Sequence, residues 1–393
     1  MTIGRLAQVT AAAALATAGL ATGCGAEDDA PPCAPGSGII CTVAGTGVAG
    51  DGVDGLPPLK TRLYSPRGAV VSPAGDLFVV DWNNHRIRAV QPNGTMRIVA
   101  GVGELGLDSD DPETKRLNHP TGITFDADGR LVIAAWHNST IKRVDVGTGE
   151  LIDTCGTGRR GFAGDGGPAL TAVLDLPVDV AFDPAGDLII ADQANQRLRK
   201  VATATGIITT IAGKGPCPTG GGTPVPGAPC FGGDGGPALE ARFNFPRSQA
   251  ALPAGRIAID GAGAIYIADT GNQRVRKIDP AGIVTTFAGS GVRGRAGDGG
   301  PATAAELARP TDVAVGPDGR IFIADTDNSC IRVVDLDGVI STAAGLCGQP
   351  GFAGDGGTAT NAKLDRPDGV SVSPDGNLYV SDTYNHRIRV VYP

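Results

Sequence analysis

The chain has 393 residues, is rich in glycine (61) and proline (29), and is poor in aromatic side chains (4%). Its 33 Lys and Arg against 41 Asp and Glu give a net charge of −8. That balance argues against a nucleic-acid partner, whose phosphates call for a basic surface. Many turns and a core of small aliphatic residues point to an all-β repeat protein.

In chain order, an export leader comes first. Arg5 precedes an Ala-rich apolar run from Leu6 to Leu20, too short and too weak for a comfortable membrane span. Ala21-Thr22-Gly23-Cys24 follows, with small residues before a cysteine as in a bacterial lipobox, although Ala21 stands where leucine is usual. Residues 1–23 are read as a signal peptide, Cys24 as the lipidated residue and 24–37 as a tether; ordinary secretion is the alternative. The expected location is extracytoplasmic, with a membrane touched only through the lipid. Export permits disulfides. Cys217 and Cys230 bracket a Pro/Gly-rich insertion and are expected to staple it. Cys330 and Cys347 lie on the two arms of one predicted hairpin, and Cys33 with Cys41 is a third candidate pair. Cys155 is left over as a small buried residue.

From residue 38 onward one pattern recurs six times. Its marker is an asparagine: Asn84, Asn138, Asn195, Asn272, Asn328 and Asn385, at spacings of 54, 57, 77, 56 and 57. Each unit reads as four short strands, here called a to d. In the third unit these are Val178 to Phe182, Leu188 to Ala191, Arg197 to Val201 and Ile207 to Ala212, separated by Pro/Gly- and Asp/Asn-bearing turns. Four strands per repeat of this length make a propeller blade. The last unit ends on its strand c at Ile388 to Tyr392, and the missing strand lies at the start: residues 39–45, Ile-Ile-Cys-Thr-Val-Ala-Gly, match Ile207 to Gly213. The expected fold is an all-β six-bladed propeller of four-stranded blades over 38–393, in which that N-terminal strand closes the C-terminal blade and removes two exposed sheet edges.

Units such as Pro374-Asp375-Gly376-Asn377-Leu378-Tyr379-Val380-Ser381-Asp382-Thr383-Tyr384-Asn385-His386-Arg387 resemble NHL repeats. The Asn-His pair occurs at Asn84-His85 and Asn385-His386; elsewhere Ser139, Gln196, Gln273 and Ser329 fill the His position. The resemblance covers about residues 39–393. It implies the propeller but no single activity, because the family spans interaction scaffolds, RNA binders, sensor domains and a lyase.

Candidate sites divide into those the repeat explains and those that break it. Gly-x-Gly-x-x-Gly at Gly45/Gly47/Gly50 recurs at Gly101, Gly156 and Gly289 without strand–helix alternation, so it is the exit from strand d and not a dinucleotide loop. The Gly-Asp-Gly-Gly connectors carry Asp165, Asp234, Asp298 and Asp355, with Asp51 in a variant. Each offers one carboxylate, whereas calcium takes 6–8 oxygens. The denser Asp108, Asp110 and Asp111 cluster is the candidate for a divalent cation such as calcium; no other cofactor is expected. Asp81, Asp192, Asp269, Asp325 and Asp382 precede the marker Asn by three residues, and Arg88, Lys142, Arg199, Arg276, Arg332 and Arg389 sit on strand c. Six near-equivalent copies suit inter-blade ion pairs or solvated edges.

Two further features break the symmetry. The column where strand a enters the central channel reads Gly68, Gly122, Asp179, Arg256, Asp312 and Gly369, so Asp179, Arg256 and Asp312 are ligand-binding candidates, with a salt bridge plugging the channel as the alternative. Trp82 and Trp136, the only tryptophans, share a turn position in adjacent blades, with His137 and Tyr384 near; they are read as an aromatic binding sector. All lie on the face expected to carry the d–a connectors and b–c turns. No His-Glu-x-x-His or Gly-x-Ser-x-Gly motif occurs. The expected function is a monomeric interaction module presenting this face to a protein or cell-envelope ligand. The alternative is a metal-dependent lyase- or lactonase-like enzyme at the channel, which would need several His or carboxylates converging there.

Overall fold

In a computed structural model, six four-stranded antiparallel blades surround a channel, and the residues described are 33–104, 116–216, 230–248 and 250–393. The third blade is made of Pro177–Phe182, Leu188–Asp192, Arg197–Ala202 and Ile207–Ala212, within a residue or so of the strands expected from the sequence. The strands are short and β-branched, and a tight turn bearing Pro, Asp or Gly follows each, so neighbouring strands pair as hairpins. In five blades the turn from b to c is a single 3-10 turn, such as Trp82–Asn84. In all six, the residue after the marker Asn adopts left-handed backbone, with φ between 53° and 56°.

The last blade closes as expected. Ile39–Ala44 pairs antiparallel with Arg387–Val391, Thr42 opposite Arg389, and forms the outer strand beyond Gly369–Val372 and Leu378–Asp382. Gly357–Thr358 adds a short fifth strand along its free edge, pairing with Ile39 and Ile40. The disulfide Cys33–Cys41 ties down the start of this strand, and Cys330–Cys347 joins strand c of blade 5 to the turn after strand d, with Cα atoms 5.0 Å apart. Cys155 is a free, buried thiol. Cys217 lies outside the described residues, as do Cys24, Asp108, Asp110 and Asp111.

The hydrophobic core is divided among the blade interfaces. Val80 and Ile87 of blade 1 pack with Leu131 and Ile133 of blade 2, and Ile267 and Val284 of blade 4 with Ile189 and Leu198 of blade 3. Ile40 joins the interface between blades 5 and 6, and Ala44 that between blades 6 and 1. Each fully buried Ile or Val contributes about 1.5–3 kcal/mol. The aliphatic positions therefore fix blade against blade, and the polar positions remain to hold each connector to its blade.

Candidate functional site

That second task consumes most of the repeated polar residues. In blade 3, Asn195 donates from Nδ2 to the Gly161 carbonyl (2.6 Å) and to Asp192 (2.8 Å), while the other Asp192 oxygen accepts the Asp175 amide (2.8 Å). Arg199 pairs with Asp192 (3.3 Å) and with connector Asp165 (2.7 Å), and Thr210 on strand d donates to Asp165 (2.6 Å). Blades 1, 4, 5 and 6 repeat the arrangement with Asp81/Asn84/Arg88/Asp51, Asp269/Asn272/Arg276/Asp234, Asp325/Asn328/Arg332/Asp298 and Asp382/Asn385/Arg389/Asp355. The five arginines have no exposed side-chain surface. Burial pushes Asp192, Asp325 and Asp382 up to about 7 against the pull of these partners. The strand-c bases are thus neither solvated nor inter-blade. Each of the five arginines ties the connector entering its blade to strands b, c and d of that blade. Because the Asn of the b–c turn bonds the connector carbonyl, turns and connectors share one face.

Blade 2 departs in a compensated way. Ala135 replaces the acid and Lys142 the arginine, and Lys142 pairs instead with Asp153 on strand d (2.9 Å). Asn138 takes over the missing acceptor role through its own oxygen, bonding the Asn118 amide (2.8 Å).

The His position of the repeat has a definite task that the sequence did not disclose. Its side chain accepts a backbone N–H from the next blade's entry segment: His85 from His119 (3.1 Å), Gln196 from Phe245 (2.7 Å), Gln273 from Arg309 (2.7 Å), Ser329 from Arg366 (3.2 Å) and His386 from Ser65 (3.1 Å). His, Gln and Ser are interchangeable there because each offers an acceptor. Ser139 alone fails to reach, and its buried hydroxyl has no partner among the described residues.

The channel is where the six blades stop being equivalent. A cavity of about 230 Å³ is lined by the six a strands, from Gly68, Gly122, Asp179, Arg256, Asp312 and neighbouring Val370 at the connector end to Val70, Ile259, Val315 and Val372 beyond. Arg256 of blade 4 crosses it: its guanidinium donates to the Arg67 carbonyl of blade 1 (2.6 Å) and pairs with Asp312 of blade 5 (3.1 Å). Asp312 also accepts the Val370 and Val313 amides, and Asp179 accepts the Ile257 amide at 2.9 Å. The glycines of this column leave room for the charges. A Cβ at Gly369 would lie 3.1 Å from Arg256 Nη1, and one at Gly122 would collide with Asp179. Asp179, Arg256 and Asp312 are therefore brought together as the column suggested, and the bridge across the channel exists between Arg256 and Asp312. Asp179 is the acid in excess. Burial first, then the Asp312 charge, push it up to about 7, with Arg256 opposing; burial likewise raises Asp312.

One residue before that column lies a second charged group that sequence reasoning overlooked. Arg67 pairs with Asp368, and both are buried. Arg309 approaches Asp368 (3.5 Å) and the Arg67 guanidinium lies 4.2 Å over the Trp82 ring. Burial, then Arg256 and Arg309, lower Arg67 to about 9. The signal was available: the column reads Arg67, Thr121, Val178, Gly255, Thr311 and Asp368, as irregular as its neighbour.

The aromatic residues are arranged differently from an exposed sector. Trp136 is 1% exposed, stacks on His137 (4.0 Å) and donates to Gln193 (3.2 Å). Trp82 is half-buried against His119 (4.5 Å), and His119 meets His85 and His137 edge to face. Tyr384 is 44% exposed and sits with Arg366. So Trp82, Trp136 and His137 cluster with His85 and His119, while Tyr384 belongs to a separate contact and Trp136 does not face solvent. The channel lining contains two carboxylates and no histidine. The convergence the enzyme alternative requires therefore amounts to Asp179 and Asp312.

The NHL repeat family model matches residues 63–89 and 364–391, and a teneurin NHL domain model matches 291–350. Teneurin-m of Drosophila melanogaster is 27% identical over 84% of this chain and 12% of its own length. The chain therefore spans about an eighth of the curated relatives first matched, the teneurins. A Bacteroides thetaiotaomicron protein of unknown function superposes with a TM-score of 0.64 at 18% identity, covering 90% of this chain and 75% of that one. An auxiliary nutrient binding protein of Bacteroides ovatus gives 0.62 at 16% identity, covering 90% and 76%. The chain is a six-bladed β-propeller that carries NHL repeats, matched at residues 63–89 and 364–391.

Proposed function

We propose that this propeller is an extracytoplasmic binding module that takes a small, amine-bearing ligand in its central channel, under the connector face. One observation carries the reading: Asp179 is a buried acid, facing a cavity, that no base of its own neutralises, since Arg256 is committed to Asp312. A ligand ammonium would replace the proton that burial otherwise places there, and its apolar part would lie along Val70, Ile259, Val315 and Val372. The repeated polar residues are occupied in holding the scaffold, which leaves the symmetry-breaking positions for recognition. The two disulfides seen among the described residues fit an oxidising compartment. On this reading the leader exports the chain, Cys24 carries a lipid anchor, and the connector face is displayed to an envelope partner.

The test is calorimetric titration of the purified propeller with primary amines from methylamine to spermidine, beside the matching alcohols. Saturable binding of an amine that its alcohol lacks, weakened by Asp179→Asn, is expected. Amines that fail to bind, or that bind Asp179→Asn equally well, would sink the proposal.

A further inference from the structure

The cluster beside Trp82 and Trp136 carries a separate inference. In blades 5 and 6 a residue of the entry segment pairs with the middle residue of the b–c turn. Arg309 donates to Asp327 in blade 5 (2.9 Å), and Arg366 to the Tyr384 hydroxyl in blade 6 (3.5 Å). In blade 2 the same two places hold two identical bases, His119 and His137, with their Nδ1 atoms 3.0 Å apart. The Asn118 Oδ1 lies 2.9 Å from the same His119 nitrogen. One ring as its Nδ1–H tautomer can donate to the other; with both rings carrying Nε2–H, the two Nδ1 lone pairs and the Asn118 oxygen converge where a cation would sit.

The separation suits a cation. Metal–nitrogen bonds of about 2.05 Å at about 95° set cis imidazole nitrogens about 3.0 Å apart and their ring centroids about 4.7 Å apart. The observed values are 3.0 Å and 4.8 Å. A head-on N–H···N contact at 3.0 Å would place the centroids about 5.3 Å apart, beyond what is seen. An angle near 90° is that of tetragonal Cu(II) or Ni(II) more than of tetrahedral zinc.

The donors are also held in place. His137 donates its backbone N–H to the Asn118 carbonyl (3.1 Å), the His119 amide is held by His85, and Trp136 stacks on the His137 ring. The charge nearest on the Trp82 side, Arg67, is already balanced by Asp368.

We propose that His119 Nδ1 and His137 Nδ1, with Asn118 Oδ1, bind a divalent late-transition-metal ion, Cu(II) foremost, and that solvent completes its coordination. Among the described residues no three His, Cys, Asp or Glu side chains form a metal cage, so this is a two-imidazole site. It is independent of the channel.

The experiment titrates the full chain with CuSO4 at pH 7 and follows tryptophan emission, because the chain's two tryptophans both touch these rings. Quenching that saturates at one equivalent is expected, with a Cu(II) electron paramagnetic resonance spectrum showing coupling to two nitrogens. Both are lost in His119→Ala and in His137→Gln, and kept in His386→Gln. Absent quenching, or quenching unchanged in His119→Ala and His137→Gln, overturns the site. Should His119→Ala fail to fold, the wild-type spectrum decides, and one without nitrogen coupling overturns the proposal equally.

Discussion

Consider the removal of one acid from the connector network of blade 5. Arg332 has no exposed side-chain surface and is held by Asp298 on the connector and by Asp325 at 3.5 Å. Breaking a buried ion pair on one side costs about 3–5 kcal/mol, because a desolvated charge is left behind. Asp298 is 47% exposed, so water can enter where its carboxylate was, and Asp298→Ala should cost about 2 kcal/mol. Asp325 is fully buried and also accepts from Asn328 (2.7 Å) and the Ala308 amide (2.7 Å), so Asp325→Ala takes a buried acceptor from three donors. Its cost should reach about 4 kcal/mol or more. Replacing the arginine as well removes the stranded charge, so Asp298→Ala with Arg332→Met should recover most of the loss of the single variant. Urea unfolding monitored by circular dichroism gives the comparison, read as midpoints at a common slope. The reasoning fails if the double variant is no more stable than Asp298→Ala, or if Asp298→Ala and Asp325→Ala cost the same.

Two further predictions concern the seams between blades. His386→Gln should be nearly neutral, since Gln196 and Gln273 do the same work, whereas His386→Ala should cost about 1 kcal/mol by orphaning the Ser65 amide. Burial lowers the His386 pKa below 6.5, so the stability the neutral ring supplies is complete above about pH 6.5 and is lost as pH falls toward its folded value. His386→Gln should therefore flatten that part of the pH–stability profile, and an unchanged profile would remove the histidine from the account. Replacing Cys33 and Cys41 by serine should speed hydrogen exchange at residues 39–44 before any other strand, by loosening the end of a strand otherwise held by Arg387–Val391 and Gly357–Thr358. Uniform acceleration across all blades would refute that local reading.

The ring was legible because its evidence is periodic. The marker asparagines count the blades, and the likeness of residues 39–45 to Ile207 to Gly213 shows which strand the last blade lacks. The connector aspartates were legible as scaffold because each recurs and each stands alone. What stayed hidden depends on partners from another blade. No spacing within a repeat shows that His85, Gln196 and Ser329 are equivalent acceptors, since each donor sits over thirty residues away. The Asp179, Arg256 and Asp312 column was found by looking where the repeat fails, and the same look one residue earlier would have found Arg67 and Asp368. The burial of Trp136 was not legible, because an aromatic at a turn position reads as exposed until Gln193 of blade 3 and Phe243 and Phe245 at the entry of blade 4 are seen in the same buried region.

The strand at residues 39–44 also sets an order of events. Thr42 pairs with Arg389 near the far end of the chain, whereas in blade 3 strands c and d pair as one hairpin, Arg199 opposite Thr210. Closing so long a loop costs about 2–3 kcal/mol more in chain entropy than closing a hairpin. This strand is made before the rest of the propeller and is therefore among its last to find a place. Until residues 387–391 have emerged, it and the opposing blade edges stay open to other pairings. A chain interrupted anywhere before them carries five complete blades at most and two unpaired edges, the state in which sheets aggregate. The polypeptide thus has reason to be kept unpaired until it is whole. The Cys33–Cys41 bond, local in sequence, can form early and hold the strand's end in shape while it waits.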